Sequence, residues 1–205
     1  MNAAALTSLA AGLVFGLSLI VVIGPQNTYV LRQGVLRNHV PTLVTLCALS
    51  DVVLIAAGVG GASAVLDGRH WLLSVVRVLG AVFLFTYGAL AARRACRPAA
   101  PSSDGGASPS SWAAVIGACL AFTWLNPSVY FDTVVLVGSV ANTRPGHQWW
   151  FGGGAIVASI VWFFGLGFGA RLLAPVFAGL RAWQVLDIFV AVVMVGTGTR
   201  LILGA

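Results

Sequence analysis

From Met1 to Leu31 the chain carries no charged side chain, and apolar stretches of similar length recur to its last residue. A run of about 20 apolar residues, rising 1.5 Å per residue, crosses a hydrocarbon core of about 30 Å. The composition agrees, because 59% of the 205 residues are apolar and only 8% are charged, with a mean hydropathy of +0.97. A soluble domain of this size would need more polar surface to cover one core. The pattern predicts an all-α, polytopic membrane bundle of six helices, at 5–24, 41–65, 71–92, 112–140, 148–174 and 183–203. The first stretch has no basic n-region and no clear cleavage site, so it is read as a retained first helix.

The charged residues are sparse and one-sided: all 11 basic residues are Arg and all five acidic residues are Asp. The arginines fall at the ends of apolar segments rather than among aromatics on a soluble face. The net charge of +6 therefore points to orientation in a membrane and away from nucleic acid. Counting arginines beside the connections sets Arg32, Arg37, Arg93, Arg94, Arg97, Arg171 and Arg181 against Arg69, Arg144 and Arg200. The richer face is expected in the cytoplasm, with both termini on the other side. The segment from Arg93 to Ser111, rich in Pro, Ser and Gly, reads as a linker between two three-helix halves, 1–92 and 112–205, of one membrane domain.

Both halves are interrupted at their first helix. Gly24-Pro25-Gln26-Asn27 breaks the first apolar segment and Asn126-Pro127-Ser128 breaks the fourth. Proline cannot donate a backbone hydrogen bond and clashes with the preceding turn. Gly24 and Asn126 are the expected N-caps, with Pro25 and Pro127 at the first helical position. Either break alone would read as an ordinary kink of a spanning helix. Broken helices at matching positions of two halves instead point to an inverted repeat with a binding site at the breaks. A repeat of three helices has odd parity, so its second copy must be inverted. Gln26, Asn27, Ser128 and Tyr130 follow the breaks, and the free amides of a half-helix N-terminus attract a carboxylate.

Asp51 and Asp132 sit inside apolar segments. A carboxylate in the hydrocarbon costs about 2.5–3.5 kcal/mol on insertion scales, so it usually faces a cavity and marks a pathway for ions or solutes. Asp51 follows Ser50, and Asp132 lies six residues beyond Asn126, within two helical turns of the second break. Each carboxylate is expected to hold a cationic group or a proton in a transport site. The alternative is a structural aspartate paired with Arg77, Arg171 or a helix end.

Four ordered runs resemble the bacterial lysine/arginine exporter family, nearest to its arginine exporter branch. They are Ile23-Gly24-Pro25-Gln26-Asn27 with Arg32-Gln33-Gly34, Leu46 to Asp51, Thr123 to Thr133, and Ala158 to Gly165. The resemblance implies a secondary carrier of the bacterial inner membrane that expels L-arginine or L-lysine and is driven by the proton-motive force. It also implies that both breaks and both aspartates belong to the transport site, with no enzymatic activity and no cofactor. A homo-oligomer is left open. Arg77 and Asp187 depart from the family's pattern, and their closeness to Trp71 and Trp183 suggests interface anchors.

The remaining polar residues are expected to be structural. Cys47, Cys96 and Cys119 lack metal or disulfide spacing, and His39, His70 and His147 fall in connections, so no metal ligation is expected. Trp149, Trp150 and Trp162 read as anchors or packing residues, while Tyr130, before Trp124, is the candidate for a cation–π contact. Gly152, Gly153, Gly154, Gly165, Gly167 and Gly169 read as points of close helix approach. Two other functions compete. A carrier for neutral amino acids or other small cations would keep the architecture. A membrane-embedded aspartyl enzyme would need two carboxylates sharing a site, but the Tyr-Asp and Gly-x-Gly-Asp signatures of intramembrane aspartyl proteases are absent. A passive channel is weaker, because rings of charge would demand an oligomer.

Overall fold

The computed structural model describes residues 3–22, 24–61, 70–96, 111–173, 175 and 179–203. These residues form helices and their connections, with no strand among them. In chain order the helices are α1 (Ala3–Ile20), α2 (Pro25–Val35), α3 (Val40–Val59), α4 (His70–Cys96), α5 (Trp112–Trp124), α6 (Pro127–Tyr130), α7 (Val137–Asn142), α8 (Gln148–Gly169) and α9 (Leu180–Leu203). A π-helical turn, Phe131–Leu136, joins α6 to α7, and a 3₁₀ turn, Ala170–Leu173, extends α8. Among the described residues, five stretches are long and apolar enough to cross a membrane. A sixth is formed by Trp112–Trp124 with Pro127–Asn142, which is bent by 58°. The α4 helix runs through Arg93 and Arg94 to Cys96, so these residues belong to a helix and not to a linker. Residues 62–69, with Arg69, and 97–110, with Arg97, lie outside the described residues.

Side-chain contacts fix the direction of each span. Along α8, Gly152 faces Val59, Ser159 bonds Asp51 and Gly167 faces Val44, so α3 runs antiparallel to α8. Gly12 meets Phe151, Gly16 meets Ala155, Asn27 bonds Trp162 and Gly34 meets Gly167. Thus α1 and α2 both run parallel to α8 and form one interrupted span beside it. Cys47 against Cys119 and Ser50 against Trp124 set α5 parallel to α3. The two interrupted spans therefore run in opposite directions. On α9, Gln184 bonds Ala95 and Gly198 packs on Phe85, which makes α9 antiparallel to α4.

The α1–α8 contact depends on missing side chains. A Cβ on Gly12 would overlap the Phe151 carbonyl, and one on Gly154 would overlap the Leu9 carbonyl. Gly154→Ala should force the pair apart at a cost of about 1–3 kcal/mol, read as a lower thermal unfolding midpoint in detergent. Gly153→Ala is the control, because a Cβ there meets nothing; equal midpoints for the two variants would contradict the packing. Of the six glycines expected to mark close approach, Gly152, Gly154 and Gly167 do so, whereas Gly153, Gly165 and Gly169 face open space.

Asp187 is not an interface anchor. It is 6% exposed, and its Oδ1 accepts from Arg32 Nε at 3.3 Å and Arg94 Nε at 3.1 Å. Arg32 therefore lies within α2 as part of an ion cluster rather than in a connection. Placing a carboxylate among apolar helices is costly, and two guanidiniums carried on α2 and α4 offset that cost. Arg94 also lies over the Tyr87 ring, and Tyr87, Tyr29, Phe83 and Phe122 form a continuous aromatic layer beside it. Arg77 is exposed, and the side chain of Trp71, its expected companion, lies outside the described residues. Cys47 and Cys119, remote in sequence, meet with their sulfurs 3.3 Å apart in the core as free thiols.

Candidate functional site

The two breaks are solved by the residues that make them. At the first, Gly24 takes an extended conformation as N-cap and Pro25 opens α2, with no side chain capping its amides. Ending α1 leaves carbonyls without helical partners. Asn27 Nδ2 donates to Ile20 O at 2.7 Å and to Val22 O at 2.8 Å, while its Oδ1 accepts from Trp162 Nε1 at 3.2 Å. Both amide donors and the carbonyl of Asn27 are thereby used, which an aspartate or leucine at this position would not reproduce. At the second break Asn126 caps α6, its Oδ1 accepting from Ser128 N at 3.1 Å, with Pro127 next. Tyr130 Oη donates to the freed Trp124 carbonyl at 2.8 Å, and Trp124 Nε1 donates to Ser50 Oγ at 3.3 Å. Each break is thus tied to a neighbouring helix through an indole.

A cavity of about 240 Å³ lies between the breaks. Gly24, Pro25, Gln26 and Asn27 line it from the first, Asn126, Ser128 and Asp132 from the second and the turn that follows it, and Asp51 and Ser159 from α3 and α8. Asp51 is 4% exposed and accepts from Ser159 Oγ at 2.6 Å. Among the described residues neither Asp51 nor Asp132 forms an ion pair, so no pairing with Arg77 or Arg171 accounts for them. Gln26 is buried, and its Nε2 has no hydrogen-bond partner. Asp132 sits in the π-helical turn, a distortion that recurs at functional sites because it re-aims side chains out of helical register. Ser50, Tyr130 and Pro127 do not line the cavity. Ser50 and Tyr130 are used in holding the second break, so the expected cation–π contact from Tyr130 has no counterpart at the cavity wall.

Depth in the bundle follows from the contacts. Asp51 and Ser159 each lie near the middle of their own helices, Val40–Val59 and Gln148–Gly169. Trp162, three residues past Ser159, bonds Asn27, and Trp124 next to the second break bonds Ser50. Asp51 and both half-helix tips therefore share one level at mid-depth. Gly58, seven residues past Asp51, meets the carbonyl of Thr133, which puts Asp132 about 8–10 Å further along the bundle.

Sequence reasoning gave Ser159, Thr133 and Thr197 no role in the site, and read Trp162 as an anchor or packing residue and Arg200 as a charge beside a connection. Ser159 and Trp162 stand three apart in an otherwise apolar helix, one face of which they share, and that spacing was the available signal. Thr197 and Arg200, also three apart, line the cavity from α9, so Arg200 is more than an end-of-helix charge. Among the described residues no cluster of His, Cys, Asp or Glu could hold a metal ion.

A cavity that holds two carboxylates and polar groups of both breaks at the middle of an apolar helical bundle, walled by two interrupted spans, is the architecture of a membrane carrier. The chain belongs to the LysE type translocator family, whose model matches residues 17–205. The family is one of amino-acid transporters, and with its apolar spans the chain is a multi-pass protein of the bacterial inner membrane. It is 49% identical over 182 residues to the "Putative amino-acid transporter Rv0488" of Mycobacterium tuberculosis, covering 88% of this chain and 89% of that protein. It is 40% identical over 184 residues to the "Arginine exporter protein ArgO" of Salmonella schwarzengrund, covering 89% and 87%. No solved structure matches the chain.

Proposed function

We propose that this protein is a secondary exporter of basic L-amino acids, arginine foremost, coupled to the proton-motive force. The observation that carries the reading is a buried carboxylate, Asp51, which among the described residues has no ion-pair partner and stands level with two half-helix tips in the cavity. An unpaired acid in the hydrocarbon is retained at a cost, and a cationic substrate offsets that cost when it binds. The ArgO relative, named as an arginine exporter, supports the same substrate class.

Coupling follows from competition, since a carboxylate that holds a proton cannot at that moment hold a cation. A proton reaching the site from the outer side displaces the substrate, and its loss on the inner side readies the acid for the next one. The ion cluster of Asp187 and the aromatic layer around Tyr29 lie on the arginine-rich side of the tips. Thr197 and Arg200 border the cavity on the other side. Release of the cluster with closure of the opposite side would alternate access, one half moving against its inverted copy. An aspartyl enzyme is disfavoured, because Asp51 and Asp132 stand on levels about 8–10 Å apart rather than sharing one proton.

Proteoliposomes loaded with labelled arginine, lysine or leucine test the reading under an imposed pH gradient. Arginine and lysine efflux that follows the gradient is expected; equal leucine efflux would defeat the cationic substrate, and gradient-independent flux would defeat proton coupling. Pro127→Ala tests the second break. Restoring a continuous helix removes the bend between α5 and α6, and the apparent affinity for arginine should fall about tenfold or more. Unchanged affinity and rate would remove the break from the mechanism.

A further inference from the structure

The charged residues lining the cavity are Asp51, Asp132 and Arg200. Free arginine carries two cationic groups, the guanidinium and the α-ammonium, and one anionic group, the α-carboxylate. The lining carries the mirror set. A neutral amino acid, with one charge of each sign, would leave one acid without a partner. This inference rests on the reading of the cavity as a site for basic amino acids and goes beyond it, by assigning a place to each end of the substrate.

The levels of the three residues decide the assignment. The Arg32–Asp187 contact sets α9 against α2. Counting seven residues back from Arg32 reaches Pro25, the tip of α2, about 10 Å away. Counting thirteen forward from Asp187 reaches Arg200, about 20 Å away. Tyr29 packs on Tyr87 while Arg32 and Arg94 share Asp187, so α2 runs parallel to α4 and opposite to α9, and both counts lead the same way along the bundle. Arg200 therefore stands about 10 Å beyond the α2 tip and Asp51, on the level already found for Asp132. One buried acid lies deep between the broken helices, and an acid and a guanidinium share the level one layer further out.

We infer that Arg200 is the partner of the substrate's α-carboxylate, with Asp132 receiving the α-ammonium and Asp51 the side-chain cation. Arg200 is exposed and, among the described residues, forms no salt bridge, so its guanidinium is available to a carboxylate in the two-pronged geometry such pairs prefer. Thr197, one turn earlier on the same face, also borders the cavity and offers a hydroxyl beside it. The layered arrangement makes the outer pair a reader of the amino-acid end and the inner acid a reader of side-chain charge.

Equilibrium binding of arginine and argininamide to the purified full-length protein in nanodiscs tests the assignment. At about pH 6, below the α-amino range of about 7.7–8.0, argininamide keeps both cations and replaces the carboxylate with a neutral amide. The wild-type protein should prefer arginine about tenfold or more, the size expected of a charge-assisted hydrogen bond. Arg200→Gln should bring the ratio close to one by weakening arginine alone, with argininamide affinity held, which also shows the variant to be folded. Arg200→Lys should restore part of the preference. A wild-type ratio near one, or a ratio that Arg200→Gln leaves unchanged, overturns the inference while leaving the basic-substrate reading intact. Absence of any arginine binding to the wild-type protein removes both.

Discussion

Asp51→Asn is expected to abolish arginine efflux, lowering the initial rate by about a hundredfold or more, with normal membrane insertion. Asparagine is nearly the same size and can still accept from Ser159 Oγ, which donates to Asp51 at 2.6 Å, so the cavity should keep its shape. The lost feature is the charge. Removing one member of a buried ion pair costs about 3–5 kcal/mol, and each 1.4 kcal/mol is about tenfold in an equilibrium constant. Asp132→Asn should also impair efflux, but less severely, because Asp132 is only half-buried and solvent weakens its pairing. Efflux from loaded proteoliposomes, normalised to inserted protein, measures both. Wild-type rates in Asp51→Asn would exclude Asp51 from substrate binding and from coupling.

Asp187→Asn is expected to have the second largest effect, on stability. The variant leaves Arg32 and Arg94 facing one another with no counter-charge, in a cluster where Arg94 Nη2 already lacks a partner. A cost of about 3 kcal/mol follows from the breaking of a buried pair. For a chain of this size that is a fall of about 6–12 °C in the thermal midpoint. Thermal unfolding in detergent measures it. An unchanged midpoint would mean that the cluster does not hold α2, α4 and α9 together.

The parts of this molecule legible in the sequence are those with local causes. Apolar runs of spanning length declare the helices, and the Pro25 and Pro127 breaks declare themselves because proline acts on its own turn. Gly24 and Asn126 stand as N-caps where the residue types place them. Asp51 and Asp132 stand out because a carboxylate is rare in such surroundings. The features that escaped depend on partners far along the chain. Asp187 meets Arg32 across 155 positions and Cys47 meets Cys119 across 72, and nothing near either residue announces the meeting. Ser50 and Tyr130 are polar and close to the second break, so spacing assigned them to the substrate. Their bonds to Trp124 depend instead on where its indole and freed carbonyl point, which is a property of the folded bend. Arg200 reads as a terminal charge until the antiparallel packing of α9 brings it over the cavity.

The account stands on the cavity between the two interrupted spans being the place where substrate binds. A structure of the protein in nanodiscs with arginine present tests this most directly. The expected result is ligand density between the tips of α2 and α6, with a cationic nitrogen within hydrogen-bonding distance of the Asp51 carboxylate. Density bound elsewhere in the bundle, with this cavity holding only water, would contradict it.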